Sequence, residues 1–153
     1  MATSFTLGVF LSEFLTNLRA RFAGISALSS VTVELVPTGD TTSIDVVTLI
    51  SRRITGRQDR NAFGVRSDYW TVPGTLLTYG TDPDASTAFQ KSLDRAGLVM
   101  DEIQKEIRDT RPPVGLQTLD ATLTLDGVTP ILNDRGGWYC QTEFQIEYTG
   151  LVL

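Results

Sequence analysis

Two stretches of the chain repeat apolar residues at every third or fourth position, the spacing that places them on one face of an α-helix. The first stretch predicts a helix over residues 5–25, with an apolar face formed by Phe10, Leu11, Phe14, Leu15, Leu18, Phe22 and Ile25. The second predicts a helix over residues 83–109, with an apolar face formed by Phe89, Leu93, Ala96, Met100, Ile103 and Ile107. Asp82-Pro83 supplies an N-cap and a first-turn proline for this helix, and Pro112-Pro113 ends it.

Alternating apolar and polar residues, the pattern of a β-strand with one buried face, mark two segments near the end of the chain. Residues 138–148 alternate most regularly, and one face is formed by Trp138, Cys140, Thr142, Phe144, Ile146 and Tyr148. Residues 116–127 alternate in the same way, with one face formed by Leu119, Ala121, Leu123 and Leu125. Because the turn-forming residues 133–137 lie between them, we expect these two strands to pair antiparallel.

Three further segments are predicted to be extended. Residues 31–35 alternate, and residues 44–54 are rich in β-branched side chains. The predicted common face of the second segment is formed by Ile44, Val46, Thr48 and Ile50. Residues 68–80 resume extended structure, and Pro73-Gly74 within them marks a bulge, a turn or an edge position.

The order of these elements predicts an α+β fold in a single domain covering residues 1–153. We expect a largely antiparallel sheet with both amphipathic helices packed on one of its faces. The other face carries threonine, glutamine and glutamate, so it is expected to meet water or a polar partner. Residues 52–68 show no clear period and predict a long basic loop or hairpin tip.

Charge is segregated along the chain, and this is the feature that points to a function. Residues 52–66 hold five arginines and one aspartate, a net charge of +4 that leaves −9 for the rest of a chain whose total is −5. The charged residues of this segment are Arg52, Arg53, Arg57, Asp59, Arg60 and Arg66. Arginine pairs with carboxylates and phosphates alike, so the segment predicts a contact element for an acidic protein surface or for phosphate.

The residues that usually carry catalysis are scarce. Histidine is absent and Cys140 is the only cysteine, which excludes histidine triads, disulfides within the chain and thiolate metal clusters. Asp120 and Asp126 are ~20 Å apart if both lie on one strand, too far for a shared site. We therefore expect no catalytic residue, no cofactor and no metal. The amino-terminal segment lacks a basic start and is broken by Ser12 and Glu13, so we expect neither a signal peptide nor a membrane span.

The order and character of the elements resemble those of the tail terminator proteins of long-tailed (siphophage, lambda-like) bacteriophages. The resemblance covers most of the chain: an opening helix in FLSEFLTNLRARF, a strand in VTVEL, an arginine-bearing excursion, a central helix in AFQKSLDRAGLVMDEIQKEI and a final strand in CQTEFQIEYTG. It implies a virion protein of the tail or neck, assembled in the host cytoplasm. It also implies a homo-oligomeric ring, a hexamer, that caps the tail tube, stops its elongation and offers the surface for head-tail joining.

The implied partners are other copies of the chain, the tail tube protein, a head completion or connector protein, and phage DNA passing through the ring. The arginine segment is then the element that contacts a neighbouring subunit or the tube. Related neck, connector and tail completion proteins share much of this plan and remain an alternative. Two readings of other classes are a small nucleic-acid-binding module and a small carboxylate enzyme.

Overall fold

A computed structural model of the chain describes residues 6–38, 45–60, 64, 66–110, 117–133 and 136–152. Two α-helices, α1 (Thr6–Ala23) and α2 (Ala85–Asp109), are joined to six strands, with a short 3-10 turn at Ser26–Leu28. The strands are β1 (Thr32–Glu34), β2 (Val46–Thr48), β3 (Thr55–Arg60), β4 (Arg66–Gly80), β5 (Gln117–Leu132) and β6 (Trp138–Val152). The α+β class predicted from the sequence is confirmed.

All six strands form one sheet in the order β1-β2-β4-β6-β5, with β3 beside β4. Only β1 and β2 run parallel, and every other neighbouring pair is antiparallel. On the side away from β6, β4 has two neighbours, since β3 pairs with residues 66–71 and β2 with residues 75–77. Pro73 falls between them, where its missing N–H breaks no strand ladder and its carbonyl accepts a hydrogen bond from the Ser51 amide.

Both helices lie on the same face of the sheet. From α1, Phe10 contacts Tyr148 of β6 with ring centroids 4.9 Å apart. From α2, the carbonyl of Ser92 accepts a hydrogen bond from the Thr78 hydroxyl of β4. Thr78 pairs with Cys140, which shares a face of β6 with Tyr148, so both contacts are made on one side of the sheet. We call this side the helix face and the opposite side the open face.

The core lies between the helices and the helix face of β4 and β6. The largest side chains that are fully buried there include Phe14, Leu18, Phe22, Val72, Leu76, Ile103, Phe144 and Ile146. At Gly80 the helix approaches so closely that a Cβ atom would overlap the Ala88 carbonyl oxygen, so a larger residue there would push α2 off the sheet. The predicted apolar face of β6 is confirmed.

Charged side chains fasten the layers together at the ends of the helices. Arg21 of α1 pairs with three carboxylates of α2, at 3.2 Å from Glu102, 3.7 Å from Glu106 and 2.7 Å from Asp109. Arg95 of α2 pairs with Asp45, whose other carboxylate oxygen accepts from the Tyr79 amide of β4. These contacts fix how α2 lies relative to α1 and to the start of β2.

Three predictions require correction. The long loop over residues 52–68 is not confirmed, because residues 55–60 form β3 and the segment from residue 66 belongs to β4. The strand predicted over residues 44–54 is shorter, since β2 covers Val46–Thr48 and Ile44 lies outside the described residues; Val46 and Thr48 share a face as predicted, whereas the fully buried Val47 lies on the opposite, helix face. The N-cap of α2 is Asp84, whose carboxylate accepts from the Thr87 amide at 2.9 Å.

The buried stripe of α2 makes Ile103 a test of the core. Ile103→Ala should lower the free energy of unfolding by about 2–5 kcal/mol, because the side chain is fully buried and its removal leaves a cavity. Leu98→Ala is the matched control, since that side chain on the same helix is 54% exposed and its loss should change stability by less than about 0.5 kcal/mol. Urea denaturation measures both. Equal effects at the two positions would contradict the assigned core.

Candidate assembly interface

The structure divides the arginines of residues 52–66 between two environments. Arg52, Arg53, Arg57 and Arg60 are exposed. Arg66 is buried, with its side chain 7% exposed, and its Nε lies 3.0 Å from the fully buried carboxylate of Asp68. The Thr6 hydroxyl donates to the same carboxylate at 2.7 Å, which ties the first residue of α1 to β4. Arg66 therefore belongs to the structural core, and its predicted role as a contact residue does not fit its position.

Arg57 and Asp59 point to the open face of β3. The Arg57 guanidinium lies 4.6 Å from the ring centroid of Tyr69 and its Nε lies 3.0 Å from the Asp59 carboxylate. Both charged side chains are more than half exposed, so their pairing contributes little to stability. The four exposed arginines and Asp59 leave a net charge of +3 around β3 that is accessible to a partner.

β3 is an open edge of the sheet. It pairs with β4 along one side, and all six of its residues are exposed. Within the described part of the chain no strand pairs with its other side, so backbone donors and acceptors there can join a strand from another molecule. We call β3 together with Arg52 and Arg53 the basic edge.

β5 is the opposite open edge. It pairs only with β6 among the described strands, and its sixteen residues include Asp120 and Asp126 but no lysine or arginine. Four large apolar side chains are exposed along it. Ile131, 37% exposed, pairs with Tyr139 and lies on the open face; the other three are Leu125 (58% exposed), Val128 (47%) and Leu132 (62%). Their register with Phe144, Thr142 and Trp138 places them on the helix face. We call β5 the acidic edge.

An apolar groove of about 470 Å³ lies on the helix face beside the basic edge. Its walls come from α1 on one side and from the chain around β1 and β3 on the other. The lining includes Leu7, Leu11, Leu15, Leu35, Ile50, Ile54 and Trp70. Ile54 immediately precedes β3, and Trp70 pairs with Gly56 of β3, so the groove opens next to the edge itself. An apolar side chain carried by a strand docked on β3 would meet it.

The open face is unsuited to holding nucleic acid. Glu143 and Glu147 of β6 and Asp120 of β5 are exposed there, while Arg57 lies at one border beside Asp59. Binding to a phosphate backbone depends on several lysines or arginines that together displace counterions. A central strand carrying two glutamates repels such a backbone.

The features that would indicate a reactive thiol, a metal site or a membrane-spanning helix were sought among the described residues. Cys140 is fully buried on the helix face, as predicted, and burial raises the pKa of its thiol above the ordinary value, so it stays protonated near neutral pH. Among the described residues, no three His, Cys, Asp or Glu side chains converge as a metal site would require. No helix within those residues is long and apolar enough to cross a membrane.

Comparison of the chain with known proteins found no match, either to models of protein families or to curated protein sequences. The assignment of a function therefore depends on the geometry of the two edges and on the resemblance in element order.

Sequence reasoning missed the apolar half of this surface. The predicted strand ended at residue 127, whereas β5 continues to Leu132 past an irregularity between Leu125 and Gly127. That shift moves Val128 and Leu132 to the same face as Leu125, so the apolar positions change from odd to even numbers. The signal is present in the sequence as a change of phase at Gly127, but strict alternation does not detect it.

Arg60 of β3 and Arg66 of β4 lie opposite each other, and substituting each in turn tests whether one is an exposed surface residue and the other a buried structural residue. Arg66→Ala should lower the free energy of unfolding by about 3–5 kcal/mol, because it leaves the buried Asp68 carboxylate without its ion-pair partner. Arg60→Ala should change it by less than about 0.5 kcal/mol, since its side chain is exposed. Thermal or urea unfolding of the two variants measures the contrast, and similar losses at both positions would show that Arg66 is not the structural residue.

Proposed function

We propose that this protein is a structural subunit of a bacteriophage tail, of the tail terminator type. In this role it forms a ring, a hexamer, that caps the tail tube, stops its elongation and provides the surface to which the head joins. One observation carries the proposal: among the described strands, the basic β3 is open along one side of the sheet, where the short β1 is also unpaired on its outer side, and the acidic β5 is open along the opposite side. The α+β plan and the resemblance to tail terminators support it.

The two edges favour a cyclic assembly over a symmetric dimer. They differ in charge and in length, so the natural contact joins the basic edge of one copy to the acidic edge of the next. A head-to-tail contact of this kind repeats from copy to copy and closes into a ring when the rotation at each step permits it. The net negative charge of the subunit favours the monomer at low concentration, and assembly can begin when the local concentration of subunits rises at the end of a tube.

The open face suits the wall of a channel for DNA. Its exposed Glu143 and Glu147 repel phosphate, so DNA would pass along it without being held. The tail tube protein on one side of the ring and a head completion or connector protein on the other are the partners of this role, and the virion neck is its place. A connector or tail completion protein would use the same ring contact at a different position.

The exposed arginines test this role. Replacing Arg52, Arg53, Arg57 and Arg60 together with serine should leave the melting temperature nearly unchanged, because exposed charges contribute little to stability. The same variant should weaken ring formation and tube capping, most strongly at low salt, where the lost attraction is least screened. Electron microscopy of tails assembled with the variant should show overlong tubes.

The matched control replaces the same four residues with lysine, which retains the charge and should largely retain capping. Tails of normal length that join heads normally, assembled with the serine variant, would contradict the role of the basic edge. Tails of normal length that fail to retain DNA would instead favour the nucleic-acid-binding reading.

A further inference from the structure

We propose that neighbouring copies join by adding β5 of one copy to β3 of the next, so that their sheets become one continuous sheet. In the new pair, residues 120–125 run antiparallel to residues 55–60, and Leu125 enters the apolar groove beside Ile54 and Trp70. This inference rests on the ring of the proposed function and specifies the contact that builds it.

Strand direction fixes the pairing as antiparallel. β6 runs antiparallel to both β4 and β5, so β5 has the direction of β4, whereas β3 runs opposite to β4. Copies related around a ring axis that continues the sheet keep their strand directions. The β5 strand of one copy therefore meets the β3 strand of the next in the antiparallel sense.

The lengths of the regular segments agree. The register of β5 against β6 shifts between Thr118 and Asp120 and again between Leu125 and Gly127, which leaves residues 120–125 as one regular stretch. Irregularities of this kind disrupt an edge for pairing, as does Pro130 further along β5. The regular stretch of β5 and the whole of β3 are each six residues long, so the two segments that would pair are equal in length.

The faces and charges then select one register. Ala121, Leu123 and Leu125 lie on the helix face of β5, as Gly56, Gln58 and Arg60 do on β3, and a continuous sheet pairs like faces. Two registers satisfy this condition near full overlap. One sets Asp120 opposite Asp59, a like-charge pair that destabilises a sheet. The other sets Thr122 opposite Asp59 and Leu125 opposite Gly56, and we assign this second register.

The assigned register brings apolar surfaces together. Gly56 has no side chain and pairs with Trp70, which lines the groove, so a Leu125 side chain opposite Gly56 lies at the groove entrance. Leu125 is 58% exposed in the single chain, so placing it in the groove removes apolar surface from water and favours the contact. Asp120 begins this stretch and Asp126 follows it directly, so the pairing brings both aspartates close to the basic edge, whose net charge is +3.

A second copy of the chain fits these features better than an unrelated strand does. The two edges complement each other in three ways. One is basic and the other acidic, their regular segments are equal in length, and Leu125 of one edge faces the apolar groove beside the other. An unrelated strand bound to β3 would leave Leu125, Val128 and the acidic edge of every subunit uncovered.

Cysteine cross-linking tests the pairing and its register. In a chain carrying Asp59→Cys and Thr122→Cys, mild oxidation should produce a ladder of covalent oligomers that ends at the ring. A bond within one chain is excluded, because three strand spacings of ~4.8 Å separate β3 from β5, whereas bonded cysteines need Cα atoms within about 7 Å. The native Cys140 is buried and should not compete.

The control carries Asp59→Cys with Asp120→Cys, an exposed position on the same face two residues earlier along β5, which is the pair that the rejected register sets opposite each other. It should cross-link far less, since the Cα of residue 120 lies more than about 7 Å from that of residue 59 in the assigned register. Stronger cross-linking at residue 120 would overturn the register. Rings that form while neither pair cross-links would overturn the strand pairing and leave the capping function standing. A ladder from a chain that fails to cap tubes would support the pairing and overturn the function.

A surface variant tests the groove independently. Leu125→Lys places a charge where an apolar side chain should enter, so it should reduce self-association at least tenfold while the chain stays folded. Leu98→Lys is the matched control, because Leu98 is 54% exposed, as Leu125 is at 58%, but lies on α2 away from both edges. Sedimentation of both variants measures the effect. Equal self-association by the two would overturn the placement of Leu125 in the groove.

Discussion

The antiparallel ladder between β4 and β6 is the constraint on which the rest of the structure depends. Fifteen residues of each strand pair without a register shift, from Arg66 opposite Val152 to Gly80 opposite Trp138. This unbroken register places the apolar side chains of both strands on one face, and both helices pack there. It also fixes the position of every outer strand, since β2, β3 and β5 are each attached to one of these two.

The same constraint produces the two edges. Because β4 and β6 occupy the centre of the sheet, the outer strands have one partner each in the described structure: the short β1 and the longer β3 and β5. The exposed side chains of β3 and β5 differ. β3 carries arginines, whereas β5 carries aspartates with exposed leucine and valine side chains between and after them. A monomeric protein commonly protects such edges from pairing with other chains by placing charged side chains or irregular backbone on them. On β5, both kinds of protection occur beyond residues 120–125. The stretch left regular is the one that matches β3 in length.

Much of the fold could be predicted from sequence, because α1, α2 and β6 show their burial directly in their residue spacing. β3 could not be predicted, since all of its residues are exposed and only backbone pairing to β4 makes it a strand. The site was predictable in part. Clustering identified the arginines, but Arg60 and Arg66 are chemically identical. They pair with each other and share a face; Arg66 is buried because β4 lies between β3 and β6, whereas Arg60 is exposed because β3 is an edge strand. The groove combines residues distant in sequence, which no local pattern reveals.

The central claim is that this chain assembles with itself head to tail into a closed ring. The most direct test is the mass of the unmodified protein in solution, measured by sedimentation over a range of concentration and salt, alone and with a tail tube protein. We expect a monomer that converts to a single larger species of hexamer mass, with conversion favoured at low salt. A protein that stays monomeric under every condition, or that forms open chains of unlimited length, would contradict it.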